Sequence, residues 1–177
     1  MIIPGQSAPS LRLATIAGGH FDLQADDAAW LTLVCFYRGA HCAICRRYLS
    51  ALTALLPAFS ARGVKVIAVS MDHEERARVM ADTIGSQDLQ IAYGLTLESA
   101  RQWGLYLSSH RGKTSTGMEE AELFNEPAMF LIKPASEVYF AALQSMPFAR
   151  PPLAEILHMV DYAKSSQSPG RGELVLS

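Results

Sequence analysis

The sequence predicts an α/β domain: a mixed central sheet with helices on both faces and an N-terminal β-hairpin extension. Three observations carry that expectation. The apolar run Leu31 to Tyr37 lacks the alternation of a half-exposed strand and reads as a strand covered on both sides. A helical pattern and a second strand, Val64 to Val69, follow it, which makes a β-α-β unit with parallel strands. Between the first strand and the helix lies Cys42-Ala43-Ile44-Cys45, at a junction where protein scaffolds place a reactive dithiol.

Leu11 to Ile16 alternates, Gly18-Gly19 turns the chain, and His20 to Leu23 returns, which predicts the hairpin. After the first buried strand, Arg46 to Phe59 reads as one helix, with Tyr48, Leu52, Leu55, Leu56 and Phe59 at helical spacing and Pro57 kinking or ending it. Asp72 with Glu75 three residues on resembles a capping box. The helix it opens buries Ala77, Met80, Ala81 and Ile84 and stops at Gly85. A short helix spans 97–103 and ends at Gly104. Residues 108–125 are polar and irregular and predict a long loop with at most one helical turn. Two strands follow, Ala128 to Ile132 and Val138 to Leu143. A last helix begins at Pro151-Pro152 and turns Leu153, Ile156, Leu157 and Val160 inward. The small, polar, Pro- and Gly-broken stretch after 164 predicts an extended tail, so the expected division is one domain over 1–164 and a tail over 165–177.

Composition narrows the function. Half of the 177 residues are hydrophobic, enough for a full core. A net charge of −2 argues against nucleic acid as the main partner. The start, Met1 to Gln6, has neither the basic nor the apolar part of a secretory signal, and no apolar run approaches a membrane span. Three cysteines make no disulfide scaffold, and a reducing cytoplasm is the expected location.

The thiolate is the reactive form of cysteine, and a helix N-terminus stabilises it through unpaired N–H groups. Arg38, His41, Arg46 and Arg47 lie around the pair in sequence and add positive charge, and His41 is placed either to shuttle protons or simply in an exposed loop. Cys42 is expected to be the more exposed sulfur and Cys45 the deeper one. A structural zinc site also uses this spacing but needs two further ligands, and His20, His73, His110 and His158 are scattered. No cofactor or metal is expected beyond the cysteine pair itself. Cys35, inside the apolar strand, reads as a small core residue.

Further residues point to a family. Gly5-Gln6-Ser7-Ala8-Pro9 with Leu11 and Leu13, the strand ending Phe36-Tyr37, Val66 to Asp72, and Ala100 to Gly104 together resemble the alkyl hydroperoxide reductase/thiol-specific antioxidant (peroxiredoxin-like) family, from about Pro4 to about Ala163. The resemblance implies a thioredoxin-like fold, an antioxidant oxidoreductase, and pairing into a homodimer. The family's active-site pattern is Pro-x-x-x-Thr-x-x-Cys. Here the matching positions hold Arg38, Cys42 and Cys45, so Cys45 occupies the peroxidatic place and Cys42 replaces the threonine. The family's late Arg is replaced by Pro127, after Glu126, and a proline there resembles the cis-proline facing the dithiol in thioredoxins.

Three functions compete. In a peroxidase, Cys45 attacks peroxide, Cys42 closes the disulfide, Arg38 stabilises the leaving oxygen, and an external thiol such as thioredoxin or glutathione resets the pair. In a thiol–disulfide oxidoreductase acting on protein disulfides, Cys42 attacks, Cys45 resolves, Pro127 presents backbone and Glu126 moves a proton. In a non-enzymatic redox sensor, the dithiol only switches shape and the 108–125 loop and the tail do the binding. The segment Gln144 to Pro151 resembles that of peroxiredoxin-like proteins with a CxxC site, and its residues also suit a turn at a helix start.

Overall fold

The computed structural model describes residues 2–85 and 87–175. A hairpin of β1 (Arg12–Ala14) and β2 (His20–Asp22) opens the chain. Then come β3 (Leu31–Phe36), α1 (Ala43–Ala54), α2 (Leu56–Ala61), β4 (Val64–Val69), α3 (Glu74–Ile84), β5 (Gln90–Ala92) and α4 (Leu97–Gln102). The second half holds β6 (Leu107–Ser109), β7 (Leu123–Asn125), β8 (Ala128–Ile132), β9 (Val138–Leu143) and α5 (Leu153–Ser166).

The central sheet has the order β5-β4-β3-β8-β9. β3 runs parallel to β4, β4 parallel to β5, and β8 is antiparallel to both β3 and β9. Every residue of β3 is buried, as its unalternating sequence predicts for the middle of a covered sheet. Its side chains divide by strand period. Leu31, Leu33, Cys35 and Tyr37 join the core beneath α1, α2, α3 and α5, while Val34 and Phe36 join one with α4, Trp103 and the N-terminal hairpin. Phe36, Trp103 and Phe130 form an aromatic triangle at centroid distances of 5.0–5.9 Å in that second core.

The structure corrects four expectations. The single helix over 46–59 is two: α1 starts already at Ala43, breaks at Leu55, and Pro57 sits in the first turn of α2, where a missing N–H costs nothing. Asp72 caps no helix; His73 is the N-cap of α3, without a side-chain bond, and Asp72 turns its carboxylate to the active-site loop instead. The three-residue β5 was not anticipated, being too short for a period to show. The expected loop over 108–125 is a hairpin arm: β6 pairs antiparallel with β7, and Lys113 bridges to Glu119 farther out. Among smaller differences, Ala163 rather than Leu157 completes the buried stripe of α5. That helix runs to Ser166, and the chain then leads Gly170 back onto Tyr139 and Gly172 onto Pro4. The last two residues of the expected tail, Leu176 and Ser177, lie outside the described residues. No helix among the described residues is long and apolar enough to cross a membrane.

Candidate active site

The site is built where β3 gives way to α1. Tyr37 extends the ladder by donating its N–H to Val69 O at 2.9 Å, and its carbonyl accepts from Asn125 Nδ2 at 3.1 Å. Gly39 then takes φ +142°. A Cβ there would stand 2.8 Å from an oxygen of Asp72 and 3.0 Å from His41 Nδ1, so a side chain has neither the backbone angle nor the room. Ala40 donates its N–H to Asp72 Oδ2 at 2.7 Å, and its carbonyl accepts from Arg46 Nε at 2.9 Å. The loop is thereby fixed at both ends, and α1 starts with Cys42 as its N-cap.

The Cys42 Sγ accepts the backbone N–H of Cys45 at 3.2 Å, as a capping oxygen would. Both cysteines are free and both are buried, Cys42 at 4% exposure and Cys45 at 0%. Their order of exposure agrees with expectation, though the outer one is far better covered than a surface thiol. The two sulfurs titrate in opposite directions. The Cys45 thiol and N–H, both donating to Cys42, bring it down to about 6 against the opposing effect of burial, with the charges of Arg150 and Arg38 helping. Burial pushes Cys45 well above the usual thiol range, and its donation to Cys42 adds to that. The first proton therefore leaves Cys42, and Cys45 keeps its own.

Arg150 is the neighbour of the dithiol that the sequence did not disclose. Its Nη2 donates to Cys45 Sγ at 2.9 Å, its Nε to Pro147 O at 3.1 Å, and its guanidinium lies 5.1 Å over the Tyr48 ring. Tyr48 in turn donates its hydroxyl to Pro151 O at 2.7 Å, tying the segment to α1. The one signal in the sequence was an arginine framed by Pro147 and Pro151 in a segment whose role stayed open. The 105 positions between Arg150 and Cys45 concealed the contact.

The other anticipated residues are gathered here, in different duties. Arg38 is 3.3 Å from carboxylates of both Glu120 and Glu126 and 4.8 Å over Phe124, so its charge is already shared. Glu126 is buried, accepts from Ser108 Oγ at 2.6 Å, and directs its other oxygen to Arg38. His41 is no exposed loop residue: it is fully buried, with its ring 4.7 Å from that of Phe124. Burial first, then Arg38 and Arg76, hold it down to about 4, so it is neutral at pH 7. Arg76 Nη2, which can only donate, lies 3.0 Å from Nδ1, placing the ring proton on Nε2. Pro127 precedes β8 and shares a small enclosed space with Cys35 and Arg150. No peptide bond among the described residues is cis, so the cis-proline expected from thioredoxins is absent. Cys35 lies in the core, its thiol pushed up to about 11 by burial.

The hairpin arm closes over this loop. Thr114 and Thr116 hydroxyls donate to the His41 carbonyl at 2.8 and 3.2 Å, Arg46 Nη2 reaches Met118 Sδ at 3.1 Å, and Arg76 donates to the Glu119 carbonyl at 3.0 Å. Among the described residues no group of three or more His, Cys, Asp or Glu side chains is placed to hold a metal ion.

A family model described as the AhpC/TSA family matches residues 4–141. Comparison with curated proteins gives no match. Among solved structures, the chain is similar to the reduced 2-Cys peroxiredoxin of Plasmodium vivax, with 18% identity, TM-score 0.76, and 94% of this chain and 84% of that one covered. It is similar to a peroxiredoxin 6 of Arenicola marina at 21% identity, TM-score 0.74, covering 94% and 76%. It is also similar to a yeast mitochondrial 1-Cys peroxiredoxin, described with a thiol-resolving mechanism via glutathione/thioredoxin systems, at 15% identity, TM-score 0.73, covering 94% and 78%. At these identities the likeness shows a shared fold, the thioredoxin-like fold of the peroxiredoxins.

Proposed function

The chain belongs to the AhpC/TSA family of thiol-based oxidoreductases, and on that premise we propose that it is a dithiol peroxidase in which, in the reverse of the order expected from the family pattern, the lower-pKa Cys42 attacks and the buried, higher-pKa Cys45 resolves. The observation that carries the assignment is the capping of α1 by the Cys42 sulfur, which gives that atom the Cys45 N–H as a fixed donor. In the first step the Cys42 thiolate takes the outer oxygen of R–O–O–H. The O–O bond breaks, Cys42–S–OH forms, and R–O⁻ leaves and picks up a proton. In the second, the Cys45 thiol displaces hydroxide from the sulfenic sulfur; water departs and the Cys42–Cys45 disulfide remains. Two equivalents of an external thiol, from thioredoxin or glutathione, return the pair to the reduced form.

Ionisation alone gives little rate. At pH 7 a thiol of pKa about 6 is roughly thirtyfold more ionised than a free cysteine, but its lower basicity costs about ten- to twentyfold in nucleophilicity. The net gain is about twofold. Any larger acceleration needs a donor for the departing oxygen, and Arg150 is placed for that work. It lies at Cys45, its charge acts on both sulfurs, and its Nη1 is buried with no partner among the described residues. Arg38, already bound to two carboxylates, supports the fold of the loop instead.

Disulfide exchange through Cys42 would use the same low-pKa thiol. The trans Pro127 and the closed arm over the loop count against a polypeptide reaching it. Stopped-flow reaction of the reduced protein with hydrogen peroxide tests the assignment. Cys45→Ser retains one fast turnover and stalls at the sulfenic acid, whereas Cys42→Ser reacts no faster than free cysteine. Fast reaction in Cys42→Ser and slow reaction in Cys45→Ser would reverse the roles.

A further inference from the structure

Arg76 stands where a helix favours an anion. It is the third residue of α3, at the end where unpaired N–H groups carry positive charge, and a cation in that first turn opposes the helix dipole. Arg78, two residues on, pairs with Glu74 on the surface, as an ordinary helical ion pair does. Arg76 is turned inward instead. Its Nε donates at 3.0 Å to the carboxylate of Asp72, whose side chain is wholly buried. Its Nη2 lies 3.0 Å from His41 Nδ1 and donates at 3.0 Å to the Glu119 carbonyl. One planar guanidinium therefore joins the start of α3, the loop before Cys42 and the hairpin arm over that loop. A charge set against its local preference and shared among three segments is placed for what it holds, not for the helix it sits in.

What it holds is the loop that carries Cys42. The other Asp72 oxygen, Oδ2, accepts the Ala40 N–H, and both oxygens would lie within 2.9 Å of a Cβ at Gly39. The Cys42 N–H closes the turn onto the Gly39 carbonyl at 3.1 Å, and the Cys42 sulfur caps α1. With Nδ1 facing the Arg76 donor and the proton on Nε2, His41 takes no second proton without breaking that contact, and it stays a fixed, neutral part of the loop. We infer that Arg76 is a positioning residue for the dithiol: by tying Asp72, His41 and the arm together, it sets where the Cys42 sulfur stands relative to Cys45 and Arg150. The inference rests on the peroxidase reading above and adds to it a residue that acts on the sulfur only through others. The leading charges on Cys42 are those of Arg150 and Arg38, so a change of Cys42 ionisation in an Arg76 variant reports chiefly a moved sulfur.

Three variants of the full-length protein separate positioning from folding: Arg76→Lys, Arg76→Leu, and Asp72→Asn combined with Arg76→Leu. Arg76→Leu alone leaves the Asp72 charge buried without its partner and lowers stability. Lysine keeps that charge paired but lacks the planar fork that reaches three acceptors. The double variant removes the charge, and an amide oxygen at position 72 still accepts the Ala40 N–H. In stopped flow at about pH 9, where Cys42 is fully ionised, the rate constant of the folded, reduced protein with hydrogen peroxide should fall about 10- to 100-fold in all three, the scale of a sulfur misplaced by about 1 Å. The Cys42 pKa, read from the ultraviolet absorbance of the thiolate, should rise by about one unit as its fixed donor is lost. Imidazole ¹⁵N spectra, with the His41 signals identified by their absence in His41→Phe, should show the single Nε2–H tautomer of the wild type give way to a mixture in the two leucine variants. The urea midpoint should recover from Arg76→Leu to the double variant while the rate defect stays. Rate constants within threefold of wild type in Arg76→Lys and in the double variant, with the Cys42 pKa unmoved, would overturn the inference and leave the peroxidase standing. Recovery of the rate together with stability in the double variant would overturn it equally. Wild-type reaction no faster than that of free cysteine would instead remove the peroxidase reading, and with it the reaction that Arg76 serves.

Discussion

Replacing Arg150 with Met separates the two effects assigned to its guanidinium. The first is on ionisation. A cation within roughly 4–6 Å lowers a thiol pKa by about one to three units. At Cys42 the charge of Arg150 ranks behind the donors from Cys45, so a rise of about one unit is expected from the starting value of about 6. At pH 7 that halves the thiolate, while the more basic sulfur gains about threefold in nucleophilicity, so the ionisation effect on the rate is small. The second effect is the donor to the departing oxygen, and removing one such donor from a preorganised site costs about 10²–10³ in rate. The two separate with pH. Above about pH 9 both proteins are fully ionised at Cys42 and only the donor effect remains. Stopped-flow peroxide reduction from pH 5 to 9.5 should show the apparent pKa one unit higher in Arg150→Met and the high-pH plateau lower by about a hundredfold. Arg150→Lys should restore the pKa and not the plateau, because an ammonium keeps the charge and loses the fork that serves Cys45 and a second acceptor together. A plateau within threefold of wild type in Arg150→Met would refute the reasoning and leave Arg150 as a packing residue on Tyr48.

His41 predicts an acid-sensitive fold. Its pKa is lowered to about 4 in the folded chain from an ordinary 6.5, so the unfolded chain binds the extra proton and stability falls between pH 6.5 and 4, by up to about 3 kcal/mol. Urea unfolding across that range should show the slope, and His41→Phe should flatten it. Gly39→Ala should lower Tm by about 4–8 °C, from a strain of about 2 kcal/mol and the crowding on Asp72, with peroxide turnover falling alongside. Cys35→Ser buries a hydroxyl in the core at about 1–3 kcal/mol, visible in the urea midpoint, while turnover per folded molecule stays the same. With its thiol pushed up to about 11, Cys35 should also escape iodoacetamide at pH 8 in the folded protein, and its modification there would contradict the burial.

What the sequence disclosed follows from what leaves a pattern. β3 shows because a strand covered on both faces has nothing polar to interrupt it, and α3 shows because a 3.6-residue period and Gly85 mark its face and its end. The dithiol shows because two cysteines at that spacing are rare and their junction is recognisable. The hairpin arm left no trace, since β6 and β7 are held by backbone hydrogen bonds to each other and need no apolar period. Asp72 misled for a related reason: an acid just before a helix suits a cap, but the free N–H of Ala40, 32 positions earlier, lies in the folded chain at 2.7 Å. Arg150 belongs to the same class, a contact created entirely by the return of the chain across the sheet.

In the proposed cycle Cys42 has a double occupation, as nucleophile and, in the structure, as the cap of its own helix. Each chemical state of the sulfur is therefore also a state of the amide it holds. A thiolate polarises the Cys45 N–H strongly; a sulfenic acid or a disulfide accepts from it poorly. The backbone ¹⁵N and ¹H resonances of this one residue should step through the cycle with the sulfur, so the enzyme carries a reporter of its oxidation state that needs no dye and no mutation.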